Sequence, residues 1–117
     1  MAAELVKIAN TLAELNLSEN NLTQVTAEGN NYCIALYNDT LYATAAKCPH
    51  ASGIMANGYI DALGNITCPL HRYKFSLAKG RNVSGEGYYL KTYTVIQTEQ
   101  GIFIQKEKTN LFKLFGV

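Results

Sequence analysis

Two short runs constrain this chain more than anything else in it: Cys48-Pro49-His50-Ala51-Ser52-Gly53 and Cys68-Pro69-Leu70-His71-Arg72-Tyr73-Lys74-Phe75. Each offers one thiolate and one imidazole, spaced Cys-x-His in the first and Cys-x-x-His in the second. Seventeen residues separate His50 from Cys68, and Gly58 and Gly64 lie among them to turn the chain back. Two such loops facing each other place two sulfurs and two nitrogens around one point. Both histidines of the chain and two of its three cysteines belong to these runs.

A donor set of two Cys and two His suits a closed tetrahedral zinc site. It also suits a dinuclear [2Fe–2S] centre that takes both imidazoles on one iron. Spacing favours the second. Zinc-finger ligands usually come in local pairs of one kind, C-x(2–4)-C followed by H-x(3–5)-H. Here each local pair is mixed, so each loop can give its Cys to one iron and its His to the other.

Cys48-Pro49-His50, followed by Cys68-Pro69-Leu70-His71 with Phe75 four residues on, resembles the Rieske iron–sulfur signature. More narrowly, it resembles the small Rieske-type ferredoxins, with a looser likeness in strand pattern over roughly residues 4–105. The resemblance implies a [2Fe–2S] cofactor, with Cys48 and Cys68 on one iron and His50 and His71 on the other. It implies an all-β fold, a sandwich or incomplete barrel, with a small cluster-binding subdomain at approximately residues 46–80 of a single 1–117 domain. Arg72 stands where the family usually has Gly, and Ser76 where an Asp often follows the aromatic residue. High-potential relatives join the two loops by a disulfide. The matching positions here are Gly53 and Leu70, so that bridge cannot form. Those relatives also aim Ser and Tyr hydroxyls at the sulfurs, from places held here by Tyr73 and Phe75.

Cys33 reads differently from the other two cysteines. It sits in the apolar run Tyr32-Cys33-Ile34-Ala35-Leu36-Tyr37, and free Cys is among the most buried residue types. Core packing is its expected role. Pro49 and Pro69 fix φ and shape tight loops.

Short strands are expected over 5–9, 22–26, 32–37, 41–46, 73–77, 89–96 and 102–104, with more between the two ligand loops. Asn38-Asp39-Thr40 signals a hairpin, and Asn57-Gly58, Gly64-Asn65, residues 79–82 and Gly85-Glu86-Gly87 signal turns. Residues 11–16 can form a helix but are too short for a stable one. Many short strands with frequent turns suit an all-β sandwich or barrel. In the tail 106–117, Leu111, Phe112, Leu114 and Phe115 suit a segment that covers a sheet edge, or one that docks a partner.

The chain's 117 residues suit one domain, and the formal charge of +1 points to neither nucleic acid nor a membrane surface. The eight tyrosines lack an interleaved basic stripe and read as core and sheet-surface residues. No apolar run approaches a membrane span and no secretory signal is visible, so a reducing cytoplasm is expected. A dinucleotide fingerprint is absent and the chain is too short to add a catalytic oxygenase domain. The expected function is therefore a one-electron carrier, not an enzyme, taking electrons from a reductase to an oxygenase or another redox enzyme. Two alternatives remain at this point. One is a redox subunit of a fixed, nitrite-reductase-like complex. The other is a non-redox module in which a metal stabilises an interaction surface. Three cations flanking the ligands, Lys47, Arg72 and Lys74, with no Asp or Glu inside either run, suggest a basic rim for docking.

Overall fold

The structure, a computed structural model, describes residues 3–107. Nine strands make up nearly all of its regular structure: β1 (Ala3–Ala9), β2 (Leu22–Ala27), β3 (Asn30–Tyr37), β4 (Thr40–Ala45), β5 (Tyr59–Ile60), β6 (Asn65–Thr67), β7 (Lys74–Ser76), β8 (Thr92–Thr98) and β9 (Gly101–Glu107). Six of them form one antiparallel sheet in the order β1-β9-β8-β4-β3-β2, and β5-β6-β7 form a second. The expected all-β architecture is present. Among the described residues, no helix is long and apolar enough to cross a membrane.

β3 explains how the two sheets come together. Tyr32, Cys33, Ile34 and Ala35 are all buried, as in a strand covered on both faces. Side chains alternate between faces along a strand, and here the alternation separates two cores. Tyr32 and Ile34 pack with Ala9, Leu15, Leu41, Ala43, Ile102 and Ile104, drawn from β1, β3, β4, β9 and the turn after β1. That set shares one cluster because the six-stranded sheet curls around it. Cys33 and Ala35 face the other way, into a cluster with Leu22, Cys48, Met55, Ile66, Cys68, Phe75, Leu77 and Leu90. This second core lies between the large sheet and the small one, and it contains both loop cysteines. Phe75 and Met55 are wholly buried in it, and burying one such side chain stabilises by about 1.5–3 kcal/mol.

Turn chemistry sets the registers. β2 and β3 are joined by Glu28-Gly29 at φ 51° and 81°, and β3 and β4 by Asn38-Asp39 at φ 50° and 61°. Two-residue loops with both φ positive match the right-handed twist of the strands they join. The expected turn over 38–40 is thus one residue shorter, and Thr40 pairs with Tyr37 in the ladder. Gly58 permits the close return of the chain toward β6, since a Cβ there would run into the Thr67 carbonyl oxygen.

Two other expectations change. Residues 11–16 hold only a short 3₁₀ turn over Ala13–Leu15, closed by Asn16 in the left-handed region at φ 55°. The strand expected over 89–96 begins at Thr92 and runs to Thr98. Tyr88 and Tyr89 lie outside it, and the Leu90 amide donates to the Gly80 carbonyl. Aromatic and β-branched residues favour strand locally, but tertiary contacts draw this segment across the loops described below. Of the tail 106–117, the first two residues end β9, and 108–117 lie outside the described residues.

Candidate metal centre

The two Cys/His runs form a matched pair of loops. In the first, the Cys48 amide donates to the Gly53 carbonyl and the Ser52 amide to the Cys48 carbonyl. In the second, the Cys68 amide donates to the Tyr73 carbonyl and the Arg72 amide to the Cys68 carbonyl. The fourth residue after each cysteine is left-handed, Ser52 at φ 60° and Arg72 at φ 62°. The backbone path is therefore the same six-residue loop used twice. Arg72 keeps the conformation that a Gly would adopt without strain. The first loop is tied down by the Lys47–Ile54 bridge and by the Met55 amide on the Ala46 carbonyl. The second hangs between β6 and β7.

All four sequence-predicted donors come together. Cys48 and Cys68 are buried at the base of the loops, 2% and 0% exposed, and unbridged. Burial pushes the Cys48 thiol up in pKa, and the neighbouring Cys68 thiol adds to the shift. His50 and His71 lie further out, half-buried and exposed respectively. His71 Nδ1 is 2.9 Å from His50 Nε2, and His50 Nδ1 is 3.7 Å from Cys48 Sγ. Among the described residues, no three His, Cys, Asp or Glu side chains gather around one ion. The donor set, one thiol and one imidazole from each loop, fits a dinuclear centre that takes both sulfurs on one iron and both imidazoles on the other.

Gly53 and Leu70 meet in space. A Cβ on Gly53 would lie 2.9 Å from Cys68 Sγ and 3.0 Å from Leu70 Cγ. The missing side chain at 53 lets the first loop close onto the second. Phe75 is wholly in the core, and the Tyr73 ring stacks on His50 with centroids 4.0 Å apart and planes at 27°.

A sequence profile of the Rieske [2Fe-2S] domain matches residues 8–94. The chain belongs to the Rieske family. Its cofactor is a [2Fe–2S] cluster. The chain is similar to the ferredoxin component of the naphthalene 1,2-dioxygenase system of Pseudomonas aeruginosa, 28% identical over 99 residues that cover 84% of this chain and 94% of that protein. In fold it is similar to a chain of the complex of reduced oxygenase and oxidized ferredoxin in carbazole 1,9a-dioxygenase, with TM-score 0.74, 21% identity and coverage of 90% and 95% of the two chains. A putative NADH-dependent nitrite reductase small subunit from Mycobacterium tuberculosis is similar too, with TM-score 0.75, 16% identity and coverage of 93% and 100%.

The Rieske site has members that the Cys/His pattern does not reveal. Tyr88 reaches the His50 ring edge-on, with centroids 5.6 Å apart, and lies 5.8 Å from the Tyr73 ring. Glu86 lies near His50, and the Ser84 hydroxyl bonded to its carboxylate is the main reason that the Glu86 pKa is lowered. Both residues come from the segment after β7. Its polar residues at 82, 84 and 86 and its glycines at 85 and 87 were the available signal, and they read only as a turn. The expected basic rim also changes. Lys47 and Arg72 are exposed, but the Lys74 ammonium is 3.3 Å from the Asp61 carboxylate, and Glu86 adds a negative charge beside His50.

Proposed function

We propose that Cys48 and Cys68 hold one iron of the cluster and His50 and His71 the other, and that the chain is a one-electron carrier rather than a catalyst. The observation that supports the assignment is the layering of the donors, thiols buried at the base of the loops and imidazoles toward solvent. The cluster supplies one-electron redox chemistry. The protein does the rest with its own residues. The second core keeps water from the sulfur ligands, which are buried with Met55, Ile66 and Phe75. The two left-handed loop ends direct both cysteine carbonyls inward to their own loop amides. The exposed His71 edge is where a partner can come close.

The electron donor is a reductase, and the acceptor an oxygenase or another redox enzyme, as for the dioxygenase ferredoxin components that this chain resembles. Neither nucleic acid nor a membrane is a partner. Residues 46–80 are the cluster-binding subdomain of a single domain, and the three unbridged cysteines suit a reducing cytoplasm. Iron and acid-labile sulfide analysis, with EPR of the reduced protein and a one-electron dithionite titration, tests this reading. The expected result is two irons, two sulfides and one electron per chain. One zinc without sulfide would overturn it. A stable co-purifying catalytic subunit would assign the chain to a fixed complex instead.

A further inference from the structure

The segment from Asn82 to Tyr88 runs from β7, behind the second ligand loop, to the His50 ring of the first, and its own side chains hold it to β7. Asn82 Nδ2 lies 3.0 Å from the Lys74 carbonyl oxygen, 3.1 Å from Ser84 Oγ and 3.0 Å from Glu86 Oε1. Ser84 Oγ donates to Glu86 Oε1 and accepts the Lys74 amide, while Asn82 Oδ1 accepts the Glu86 amide. The Val83 amide donates to the Lys74 carbonyl. Asn82 and Ser84 thus latch the segment to β7, directly behind the second ligand loop, and Glu86 braces both from within the segment. Gly85 and Gly87, at φ 92° and 87°, make the two sharp bends between latch and tyrosine.

The consequence is an asymmetric pair of histidines. The His50 ring has Tyr73 stacked on one face, the edge of Tyr88 nearby and His71 beside it, with centroids at 4.0, 5.6 and 4.7 Å. His71 is exposed. We propose that Asn82–Tyr88 is a latched aromatic cover for His50, in which Tyr88 and Asn82 are positioning residues that hold the reduction potential of the centre down. This rests on the ligand assignment above.

The sign follows from charge. With two anionic thiolates and two neutral imidazoles, the oxidised centre has no net charge and the reduced centre is singly negative. Water stabilises the charged form more than the neutral one, so excluding water from the imidazole edge disfavours reduction. Removing the Tyr88 ring lets water reach His50 and raises the potential. Removing the latch does the same indirectly, because the ring is then no longer held in place.

The test is protein-film voltammetry on the holoprotein for Tyr88→Ala, Tyr88→Phe, Ser84→Ala, Asn82→Ala and the Asn82→Ala/Tyr88→Ala pair, with hydrogen–deuterium exchange over residues 82–90. Iron and sulfide content is checked first, so that failure of the ligand assignment is seen separately from failure of the cover. The expected result is an upward shift for Tyr88→Ala, none for Tyr88→Phe, and a smaller upward shift for Asn82→Ala. The double variant should move no further than Tyr88→Ala alone, and the latch variants should speed exchange across the segment. If Asn82→Ala loses the cluster, Ser84→Ala carries the same expectation more mildly. Unchanged potentials in variants with intact clusters and faster exchange would overturn the proposal and leave the segment a purely structural loop.

Discussion

Ser52 and Arg72 occupy the same place in two different loops. Each follows its cysteine by four residues, each is left-handed at φ 60° and 62°, and each donates its amide to that cysteine's carbonyl. A left-handed residue with a Cβ costs about 1–2 kcal/mol. Glycine removes that strain but gives back about 0.5–1 kcal/mol through the freer unfolded chain. Arg72→Gly is therefore expected to keep the cluster and to gain up to about 1 kcal/mol. Thermal unfolding followed by cluster absorbance checks it. A variant that melts clearly below the parent would mean that the guanidinium makes a contact outweighing the strain.

The cysteines divide by role. Cys33 is buried in β3, and desolvation pushes its thiol up to about 12 despite a hydrogen bond from Thr44. So protected a thiol is not nucleophilic near neutral pH. Cys33→Ser should keep both irons, while Cys48→Ser or Cys68→Ser should lose the cluster. Iron content of the three purified variants gives the answer. Loss of iron in a folded Cys33→Ser protein would sink the ligand assignment.

Much of this was legible in the chain because the informative residues are close in sequence. Cys48 and His50, and Cys68 and His71, lie within single loops, so spacing alone brings them out. The apolar run Tyr32–Tyr37 announces a strand with Cys33 in the core. What stayed hidden depends on contacts across the fold. Tyr88 meets His50 only because β6 and β7 set the second loop beside the first, and no local window contains both rings. Asp61 likewise meets Lys74 only through the pairing of Asn65 with Ser76 and Thr67 with Lys74 across β6 and β7.

Asp61 offers a pH test. Burial acts to raise its pKa but is outweighed by hydrogen bonds from the Asn65 amide and side chain, the Leu63 amide and the Lys74 ammonium, which together hold it at about 2 against an ordinary 3.8. A carboxylate depressed on folding contributes stability that is present above 3.8 and is lost as the pH falls through about 2. Asp61→Asn should therefore lose about 1 kcal/mol at neutral pH, a cost kept small by surface screening. The gap to the parent should stay flat from pH 8 to about 5, narrow below about 4 and close near 2. Unfolding followed by far-UV circular dichroism at each pH measures it. A gap independent of pH would show that the carboxylate matters by shape rather than charge.

The potential should lie low. Rieske centres span roughly −150 to +300 mV, and hydrogen bonds to sulfur raise them. Phe75 has no hydroxyl to offer and lies wholly in the core, while Tyr73 is committed to its stack on His50. The expected potential is at the lower end of that range. A clearly positive value by film voltammetry would require sulfur donors that these two positions do not supply.

Docking should be only weakly electrostatic. Lys47 and Arg72 are exposed beside the ligands, but Lys74 is neutralised by Asp61 at 3.3 Å, and Glu86 sets a negative charge near His50. What remains is a small positive excess, flanked by Leu70 and by Tyr88 against His50, at 54% and 41% exposure. Apolar contact should then carry much of the affinity, with charge acting mainly on the association rate. Such steering is screened over about 8 Å at physiological ionic strength. In stopped-flow reduction by a partner reductase, added salt should slow the reaction only modestly. Arg72→Glu should slow it at low salt, and more than Lys74→Gln does, because the Lys74 charge is already engaged. Equal effects from the two substitutions, with both clusters intact, would mean that the Asp61 pair opens in the encounter and that all three cations face the partner.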